Sequence, residues 1–241
     1  MSPLKALVRL FPGGKALTDW HSMRRRRRKL EKIGDAEARF THIYTSNAWK
    51  DNESRSGAGS SMRMTEKVRL ALPGLVAELG VKTFLDAPCG DYNWFRHVDR
   101  NPSFDYIGGD IVRSMIETNN EAFRNDNTNF IRLDITADAL PHADLWMCRD
   151  CLIHLSFDMT AKAISNFLAS DIEYLLVTTH RVVEKNVDIP TGHCRMINLE
   201  LPPYNFPPPL RYVDDDDVEN TGKCLGLWRR DDLRAAGVLG S

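Results

Sequence analysis

The chain has 241 residues, which suffice for one large α/β domain with an added terminal segment. Hydrophobic residues make up 42% and charged residues 27%, and no apolar run is long enough to span a bilayer, so the composition indicates a globular chain without a membrane span. The N-terminus lacks the apolar core and cleavage site of a secretory signal, and the 5 cysteines are odd in number. We therefore predict a cytoplasmic protein with reduced thiols.

The net charge of −1 conceals a basic N-terminal segment. Residues 1–40 carry 11 Lys and Arg against 4 Asp and Glu, and the excess centres on "RRRRRK", Arg24 to Lys29. One interpretation is an arm that binds RNA or another anionic partner. The alternative, which we favour, is a solvated helix, because five successive arginines wrap right round a helix and form no single stripe.

Helical and loop signals precede the regular part of the chain. Residues 16–45 are predicted to be helical, and residues 46–61, "SNAWKDNESRSGAGSS", are predicted to be a loop. A further helix is expected from about Met62, because apolar residues follow at helical spacing. Pro73 is expected to kink or split that helix, and Gly80 to end it.

From residue 82 onward, short apolar strands alternate with amphipathic helices. This alternation predicts βαβ units and a Rossmann-like α/β fold, with a mostly parallel sheet and helices on both faces. In such a fold the ligand lies at the carboxyl ends of the strands, near the point where the strand order reverses. The predicted strands are residues 82–87, 104–111, 129–135, 143–148 and 173–180, and the predicted helices begin at about residues 112 and 159.

Three successive predicted strands each deliver an aspartate to the same edge of the sheet. Asp86 ends the first strand and is followed by Gly90 in a turn, where glycine lets the backbone approach a ligand closely. Asp110 ends the next strand, at the spacing that suits bonding to ribose hydroxyls, and Asp134 closes the third. Helix capping is the alternative role; it accounts for Asp110 better than for Asp86, which lies several residues from any helix.

The turn after the first strand indicates which nucleotide it holds. A dinucleotide requires G-x-G-x-x-G, with main-chain N–H groups around two phosphates. This turn has one glycine, a proline that lacks the N–H donor, and Asp91, which would repel a diphosphate. An acidic turn suits a cationic nucleoside without phosphates, and S-adenosylmethionine is such a ligand.

These residues resemble those of class I S-adenosylmethionine-dependent methyltransferases. The family's first motif, an acid followed by alternating glycines, reads D-A-P-C-G-D-Y here, with Pro88 and Tyr92 where glycine is usual. The chain is most similar to a bacterial subgroup that carries "DAPCGDYNW", "YIGGDI", "CRDCLIHLSF" and "ESRSGAGS", over roughly residues 40–230. The resemblance implies a seven-stranded sheet with a reversed final hairpin. The segment "CLGLWRRDDL" (224–233) would supply the last strand of that hairpin. We also expect an N-terminal helical cap.

The resemblance also implies roles for individual residues. Asp86, Gly90 and the backbone between them would line the methionine part of S-adenosylmethionine. Asp110 would bond both ribose hydroxyls. Residues after the fourth strand would meet the methyl acceptor. The full set implied for the cofactor comprises Asp86, Ala87, Pro88, Cys89, Gly90, Asp110, Ile111 beside the adenine face, and Asp134 and Ile135 at the adenine amine.

The segment after the fourth predicted strand supplies the catalytic candidates. An oxygen or ammonium acceptor must lose a proton, and Asp150 and His154 are the candidate bases; both would share one face if the segment starts a helix. Helix capping by Asp150 and a local ordering contact by His154 are the alternatives. Arg149 is assigned to the cofactor site, and it would anchor an acidic group or pair with a carboxylate. Cys148 and Cys151 with His154 lack the fourth ligand of a structural zinc site, so no metal is predicted.

Two segments outside the strands are expected to contribute to the site. Residues 1–61 form a basic helical extension that ends in a Gly/Ser-rich lid, and residues 62–241 form the core domain. We predict that Trp49 and Arg55 in the lid contact the cofactor, and that Arg55 binds the carboxylate of the cofactor. The alternative is a flexible linker, in which Gly and Ser are equally typical.

The proline-rich and acidic segments near the C-terminus carry weaker expectations. The segment "LPPYNFPPPL", residues 201–210, either covers the acceptor pocket with Tyr204 and Phe206 or is a rigid connection. The segment "VDDDDVE", residues 213–219, is expected to be a solvated loop.

The sequence therefore predicts a cytoplasmic S-adenosylmethionine-dependent methyltransferase. A small molecule or glycan, methylated on oxygen or nitrogen, is the first expectation for the acceptor. RNA is the second, through the basic arm. A nicotinamide-dependent oxidoreductase and a non-catalytic nucleoside-binding module remain as alternatives from other classes.

Overall fold

The computed structural model describes residues 32–100, 103–215 and 221–240. The basic Arg24 to Lys29 run and most of the predicted N-terminal helix lie outside these residues. The helices of the described residues are α1 (Ala36–Thr45), α2 (Glu66–Leu79), α3 (Arg113–Phe123), α4 (Phe157–Ala169) and α5 (Arg230–Ala235). The strands are β1 (Thr83–Asp86), β2 (Asp105–Asp110), β3 (Thr128–Arg132), β4 (Leu145–Cys148), β5 (Tyr174–His180), β6 (Arg211–Asp214) and β7 (Lys223–Arg229).

The seven strands form one sheet in the order β3-β2-β1-β4-β5-β7-β6. Strands β1 to β5 are parallel, whereas β7 runs antiparallel to both β5 and β6. The strand order reverses between β1 and β4, so their carboxyl ends flank the position where an open α/β sheet binds a ligand. The predicted Rossmann-like, mostly parallel sheet with helices on both faces is confirmed, as is the reversed final hairpin.

Both faces of the sheet are buried at the central strands β1, β4 and β5, which explains why these strands are largely apolar. In β1, Leu85 packs into the core on one face together with residues of α4 and α5, while Phe84 packs into the core on the other face with α2. Successive strand residues point to opposite faces, so a parallel sheet covered on both sides needs apolar residues at each position. Asp86, at the end of β1, is the polar exception.

The described residues show where two predicted helices lie; residues 16–31 of the first lie outside the described residues. Helix α1 begins at Ala36 because Asp35 caps it: the Asp35 side chain accepts a hydrogen bond from the Ala38 N–H at 2.7 Å. Helix α2 begins at Glu66, so the predicted start at Met62 is too early. The helix continues through Pro73 rather than splitting there. It ends at Gly80 in a left-handed conformation (φ 65°), as predicted.

The final hairpin corrects two predictions. Val213 and Asp214 belong to β6 (211–214) at the edge of the sheet rather than to a loop, and Asp215 is buried rather than solvated, whereas Asp214 is exposed; residues 216–219 lie outside the described residues. Tyr204 and Phe206 are also buried in the core, where the Phe206 ring meets the Trp228 ring edge-on at 5.2 Å. They therefore do not cover the pocket.

The N-terminal part of the described chain packs onto the core domain. Arg132, at the end of β3, pairs with Glu37 of α1 at 2.7 Å, and Arg39 donates a hydrogen bond to the carbonyl oxygen of Thr191 at 3.2 Å. These contacts hold α1 beside the carboxyl ends of the strands. No helix of the described residues combines the length and apolarity that crossing a membrane requires.

Candidate functional site

A cavity lies at the carboxyl ends of β1, β2, β3 and β4. It encloses about 1020 Å³ when its open mouth is included. Of the residues predicted for the site, all except Ala87 line this cavity. The predicted residues that line it are Trp49, Arg55, Asp86, Pro88, Cys89, Gly90, Asp110, Ile111, Asp134, Ile135, Arg149, Asp150 and His154.

Asp86 is a buried carboxyl group at the floor of the cavity. Its side chain accepts a hydrogen bond from the Tyr106 hydroxyl at 2.8 Å. Burial raises the pKa of Asp86 to about 8, and the Tyr106 hydrogen bond only partly opposes this. The group is therefore mostly protonated in the ligand-free site at neutral pH, and a cation placed beside it would favour its ionised form.

Asp110 is held at the end of β2 by two backbone donors. Its Oδ1 accepts from the Val112 N–H at 3.0 Å, and its Oδ2 accepts from the Gly90 N–H at 3.2 Å. Burial raises the pKa of Asp110 to about 6, although these backbone donors stabilise the ionised form. Each oxygen keeps a second lone pair, so the carboxylate can accept two further hydrogen bonds from a diol.

The main-chain N–H groups of the loop after β1 donate to other groups of the protein. The Ala87 N–H donates to the Met147 carbonyl oxygen at 3.0 Å, and the Cys89 N–H donates to the Gly109 carbonyl oxygen at 2.8 Å. The Ala87 carbonyl oxygen accepts from the Trp146 indole N–H at 2.8 Å, and the residue is fully buried. Ala87 thus does not line the cavity; its backbone ties β1 to β4 beneath it.

Two positions of this loop have the left-handed conformation that glycine adopts easily. Gly90 has φ 58° and Tyr92 has φ 57°. A side chain at position 90 would lie 2.4 Å from the Ser56 hydroxyl oxygen, so glycine is needed there for a second reason. Tyr92 adopts the same conformation without being glycine, and its ring is buried within 5.0 Å of the Tyr106 and Phe130 rings. This burial offsets the backbone strain.

Asp134 lies beyond the end of β3 rather than within it. Its Oδ1 accepts hydrogen bonds from the Thr136 N–H at 2.9 Å and from the Thr136 hydroxyl at 2.6 Å. Asp134 thus fixes the turn that presents the buried Ile135 to the cavity.

Asp91 faces the Gly/Ser-rich segment and not the cavity. Residues 54–60 are called the strap here. The Asp91 carboxylate accepts from the Ser54 hydroxyl at 2.9 Å, from the Arg55 N–H at 2.8 Å and from the Ser56 hydroxyl at 3.2 Å. The argument that Asp91 repels a diphosphate is therefore wrong, because its charge is directed to the strap. The strap instead forms a fixed wall over the loop after β1.

A cluster of four charged groups, called the β4 charge cluster, anchors the other end of the strap. Arg149 pairs with both carboxylate oxygens of Asp215, at 3.0 and 2.9 Å, and donates to the Gly59 carbonyl oxygen at 2.8 Å. Lys223 of β7 contacts Asp150 at 2.7 Å and Asp215 at 3.1 Å. Two cations and two anions thus offset each other in a site with little solvent. The predicted pairing of Arg149 with a carboxylate is what the structure shows.

Asp150 is not in a helix and is a weak base. It has a positive φ of 51° directly after β4, and its N–H donates to the Thr178 hydroxyl at 2.8 Å. Burial raises the pKa of Asp150, but Arg149 and Lys223 outweigh burial and lower the pKa to about 2. This low basicity disfavours Asp150 as the group that removes a proton near neutral pH.

His154 ends a short 3₁₀ helix, Leu152–His154, and its ring orientation is fixed. The Nδ1 atom lies 2.7 Å from the His193 carbonyl oxygen. Because a carbonyl oxygen can only accept, Nδ1 carries the proton, and Nε2 carries the lone pair of the neutral ring. The Trp49 ring packs against the imidazole with 5.3 Å between centroids.

The cysteines near His154 do not form a metal site. Cys148 ends β4 and is buried, and burial raises the pKa of its thiol well above the usual value. The described residues contain no group of three or more His, Cys, Asp or Glu side chains placed to hold a metal ion.

The sequence analysis missed one wall of the cavity. Ala36, Phe40 and Tyr44 line it from α1, and Leu155 and Met159 line it from the opposite side. The first three are spaced by four residues, which places them on one face of a helix. That spacing is a signal from which this wall could have been predicted.

Three solved methyltransferase structures share this fold at low sequence identity. A human N-acetylserotonin methyltransferase in complex with S-adenosylmethionine is 13% identical, with a TM-score of 0.51 over 81% of this chain and 60% of that one. A magnesium protoporphyrin IX methyltransferase from Synechocystis PCC 6803 with bound S-adenosylmethionine is 14% identical, with a TM-score of 0.53 over 83% and 99%. The Burkholderia thailandensis 1,6-didemethyltoxoflavin-N1-methyltransferase, with bound 1,6-didemethyltoxoflavin and S-adenosylhomocysteine, is 14% identical, with a TM-score of 0.53 over 80% and 86%.

The likeness to these enzymes is one of fold. No protein-family model matches the sequence, and no curated protein matches it significantly. The chain spans 60% of the length of the human enzyme and nearly all of the Synechocystis enzyme. The chain thus has the Rossmann-like fold of S-adenosylmethionine-dependent methyltransferases.

Proposed function

We propose that the protein transfers a methyl group from S-adenosylmethionine to a small-molecule or glycan acceptor, on oxygen or nitrogen. The observation that carries the proposal is the pair of buried carboxyl groups, Asp86 and Asp110, at the ends of adjacent strands. The cofactor supplies an electrophilic methyl group on a sulfonium, so the protein's task is to position the reactants, exclude water and accept a proton.

The cavity residues fit this cofactor in charge and in hydrogen bonding. Asp110, fixed by the Gly90 and Val112 N–H groups, has the remaining lone pairs to accept both ribose hydroxyls. Asp86 would face the cationic methionine end, since its burial raises its pKa to about 8 despite the Tyr106 hydrogen bond and the nearby Arg149, and a cation beside it would favour the ionised form. The buried Ile135 and the adjoining Ile111 offer apolar surface for an adenine ring.

The internal hydrogen bonds of the loop after β1 disfavour a nicotinamide dinucleotide. A pyrophosphate needs several main-chain N–H donors that point at it. The Ala87, Cys89 and Gly90 N–H groups are already bound to Met147, Gly109 and Asp110, the Asp91 N–H donates to Ser56, and Pro88 has no donor. These occupied N–H donors, rather than the charge of Asp91, favour a cofactor without phosphates.

Arg55 is proposed to bind the carboxylate of the cofactor. Its backbone N–H is fixed on Asp91, and its guanidinium lies over the Tyr44 ring at 6.0 Å, at the edge of the cavity. Trp49 was predicted to contact the cofactor as well. Because its ring packs against His154, we assign Trp49 to the acceptor side instead.

His154 is proposed to receive the proton of the acceptor. Its Nδ1–H is used on the His193 carbonyl oxygen, so Nε2 is the basic nitrogen of the neutral ring. Asp150, whose pKa is lowered to about 2, would stay ionised and act through its charge rather than as a base.

Calorimetric titration with S-adenosylhomocysteine and, separately, with NADH tests the cofactor. We expect S-adenosylhomocysteine alone to bind, and Asp110→Ala to weaken its binding about 100-fold, because two charge-assisted hydrogen bonds are lost. Asp105→Ala, at the exposed start of the same strand, is the matched control and should leave the affinity unchanged. Binding of NADH alone would refute the proposal.

A further inference from the structure

One part of the cavity is lined by residues that are not proposed to bind the cofactor, and its wall is aromatic and apolar. This part is called the acceptor half. Three of its residues come from α1 and the segment after it, two come from the region between β4 and α4, and one comes from α4. They are Phe40, Tyr44, Trp49, His154, Leu155 and Met159.

The Arg149 and Ser56 side chains that border the acceptor half are bound to other protein groups, and Asp150 is bound through Oδ2, whereas its buried Oδ1 has no hydrogen-bond partner. The Arg149 guanidinium contacts Asp215, the Gly59 carbonyl oxygen and Asp150. The Asp150 Oδ2 atom is held by Lys223 at 2.7 Å. The Ser56 hydroxyl donates to Asp91 and accepts from its N–H. Few hydrogen-bonding groups thus remain for a ligand with many hydroxyls.

The aromatic wall is fixed by packing. Trp49 packs against Gly57, where a side chain would lie 3.3 Å from the Trp49 Cβ and where φ is 95°. On its other side, the Trp49 ring lies at 31° to the His154 ring. Phe40 and Tyr44 lie one helical turn apart on α1. Flat side chains held in this way present ring faces and edges to a flat ligand.

We propose that the acceptor is a planar aromatic small molecule whose ring carries the hydroxyl or amino group that is methylated. This inference rests on the proposed function and selects one class among its acceptors. The ring would pack among Phe40, Tyr44 and Trp49, and the hydroxyl or amino proton would be received at Nε2 of His154.

A glycan fits this half of the cavity less well. Each sugar hydroxyl taken from water needs a hydrogen-bond partner, and an unmatched one weakens binding. An apolar pocket with a few fixed polar groups is the usual site for a largely apolar ligand. RNA also fits this half less well, because its backbone phosphates require cations and the Arg149 guanidinium that borders the half is already paired with Asp215.

Binding of matched probes tests the proposal. The probes are 2-naphthol, decahydro-2-naphthol and methyl α-glucopyranoside, titrated by calorimetry and ligand-observed NMR with and without saturating S-adenosylhomocysteine. The two naphthol probes share a size and a hydroxyl, but only the first is planar, and the second is the more hydrophobic. We expect 2-naphthol to bind at least about fivefold more tightly, since each aromatic pair corresponds to roughly a two- to tenfold preference.

Variants show whether the preference comes from this wall. Trp49→Leu and Phe40→Leu should each reduce the preference for 2-naphthol two- to tenfold. Tyr212→Leu, an exposed aromatic position on β6, should leave it unchanged. Circular dichroism verifies folding, and either of the two wall variants suffices if the other misfolds.

The outcomes separate this inference from the proposed function. Equal or tighter binding of decahydro-2-naphthol or of the glucoside overturns the aromatic acceptor, as does a preference that both wall variants leave intact. These comparisons are valid in the ligand-free protein, because the wall belongs to the protein. Failure of S-adenosylhomocysteine to bind overturns the proposed cofactor, whatever the probes show.

Discussion

Ser56 and Asp91 bind each other twice: the Asp91 N–H donates to the Ser56 hydroxyl oxygen at 2.9 Å, and the Ser56 hydroxyl lies 3.2 Å from Asp91 Oδ1. This pair fixes the strap on the loop after β1, directly above Gly90. The strap therefore belongs to the wall of the cavity, and the cavity depends on a segment that precedes β1 in the chain.

Asp91→Ala should release the strap without unfolding the core. Three hydrogen bonds from Ser54, Arg55 and Ser56 lose their acceptor, so we expect the affinity for S-adenosylhomocysteine to fall about tenfold. Trypsin should also cleave faster after Arg55, which becomes mobile. Asp99→Ala, an exposed acid farther along the same loop, is the control. Equal cleavage rates in wild type and Asp91→Ala would contradict this role.

Arg55→Ala should weaken cofactor binding through the loss of a cation. An exposed charged contact contributes modestly, so we expect about a three- to tenfold higher Kd for S-adenosylhomocysteine and a smaller difference at high salt. Arg63→Ala, a nearby exposed arginine that does not line the cavity, provides the comparison. An affinity that does not change in Arg55→Ala would show that the carboxylate binds elsewhere.

Asp86→Asn should stabilise the ligand-free protein at high pH. The pKa of Asp86 is raised to about 8 in the folded state, against 3.8 for the unperturbed group, so between these values the folded state holds a proton that the unfolded state releases. Stability of the wild type therefore falls as pH rises across this window, by at most about 1.4 kcal/mol per pH unit from this group.

The amide of Asp86→Asn cannot ionise and still accepts from the Tyr106 hydroxyl, so the variant lacks this pH dependence. Chemical denaturation at pH 6, 7 and 8 measures the difference, which should grow with pH in favour of the variant. Binding of S-adenosylhomocysteine should be weaker in the same variant. A constant difference in stability across pH would contradict the raised pKa.

Arg149→Met should destabilise the protein by about 3–5 kcal/mol, because it leaves the buried Asp215 carboxylate without its bidentate partner. Adding Asp215→Asn should restore a large part of that loss, since the uncompensated charge is removed. Denaturant titration of the two single variants and the double variant gives the coupling. Additive losses would show that the pair does not act as a unit.

The strand-end aspartates could be predicted because the signal is local. Asp86 and Asp110 each end an apolar run that is flanked by turn residues, and a parallel sheet brings such ends to one edge. The same logic located Arg149 and Asp150 after β4. Asp134 lines the cavity although its strand ends two residues earlier.

The other features could not be predicted because their causes are distant in sequence. The four residues of β6 carry no clear alternation, and what buries Asp215 is Arg149, 66 residues away. The direction of the Asp91 side chain depends on hydroxyl groups about 36 residues earlier. Position in the chain reveals none of these contacts, whereas the face formed by Phe40 and Tyr44 was readable from their spacing.

The β4 charge cluster also has a consequence for the order in which the site is assembled. The strap, the loop after β1 and the turns after β2 and β3 come from residues 54–136, and their mutual contacts close over modest chain lengths. Arg149 reaches its partners only after Asp215 and Lys223 have joined the sheet through the final hairpin. Contacts of such long sequence separation are slow to form. We therefore expect the wall of the cavity that the β4 charge cluster holds to be completed after the wall that the strap and the loop after β1 form.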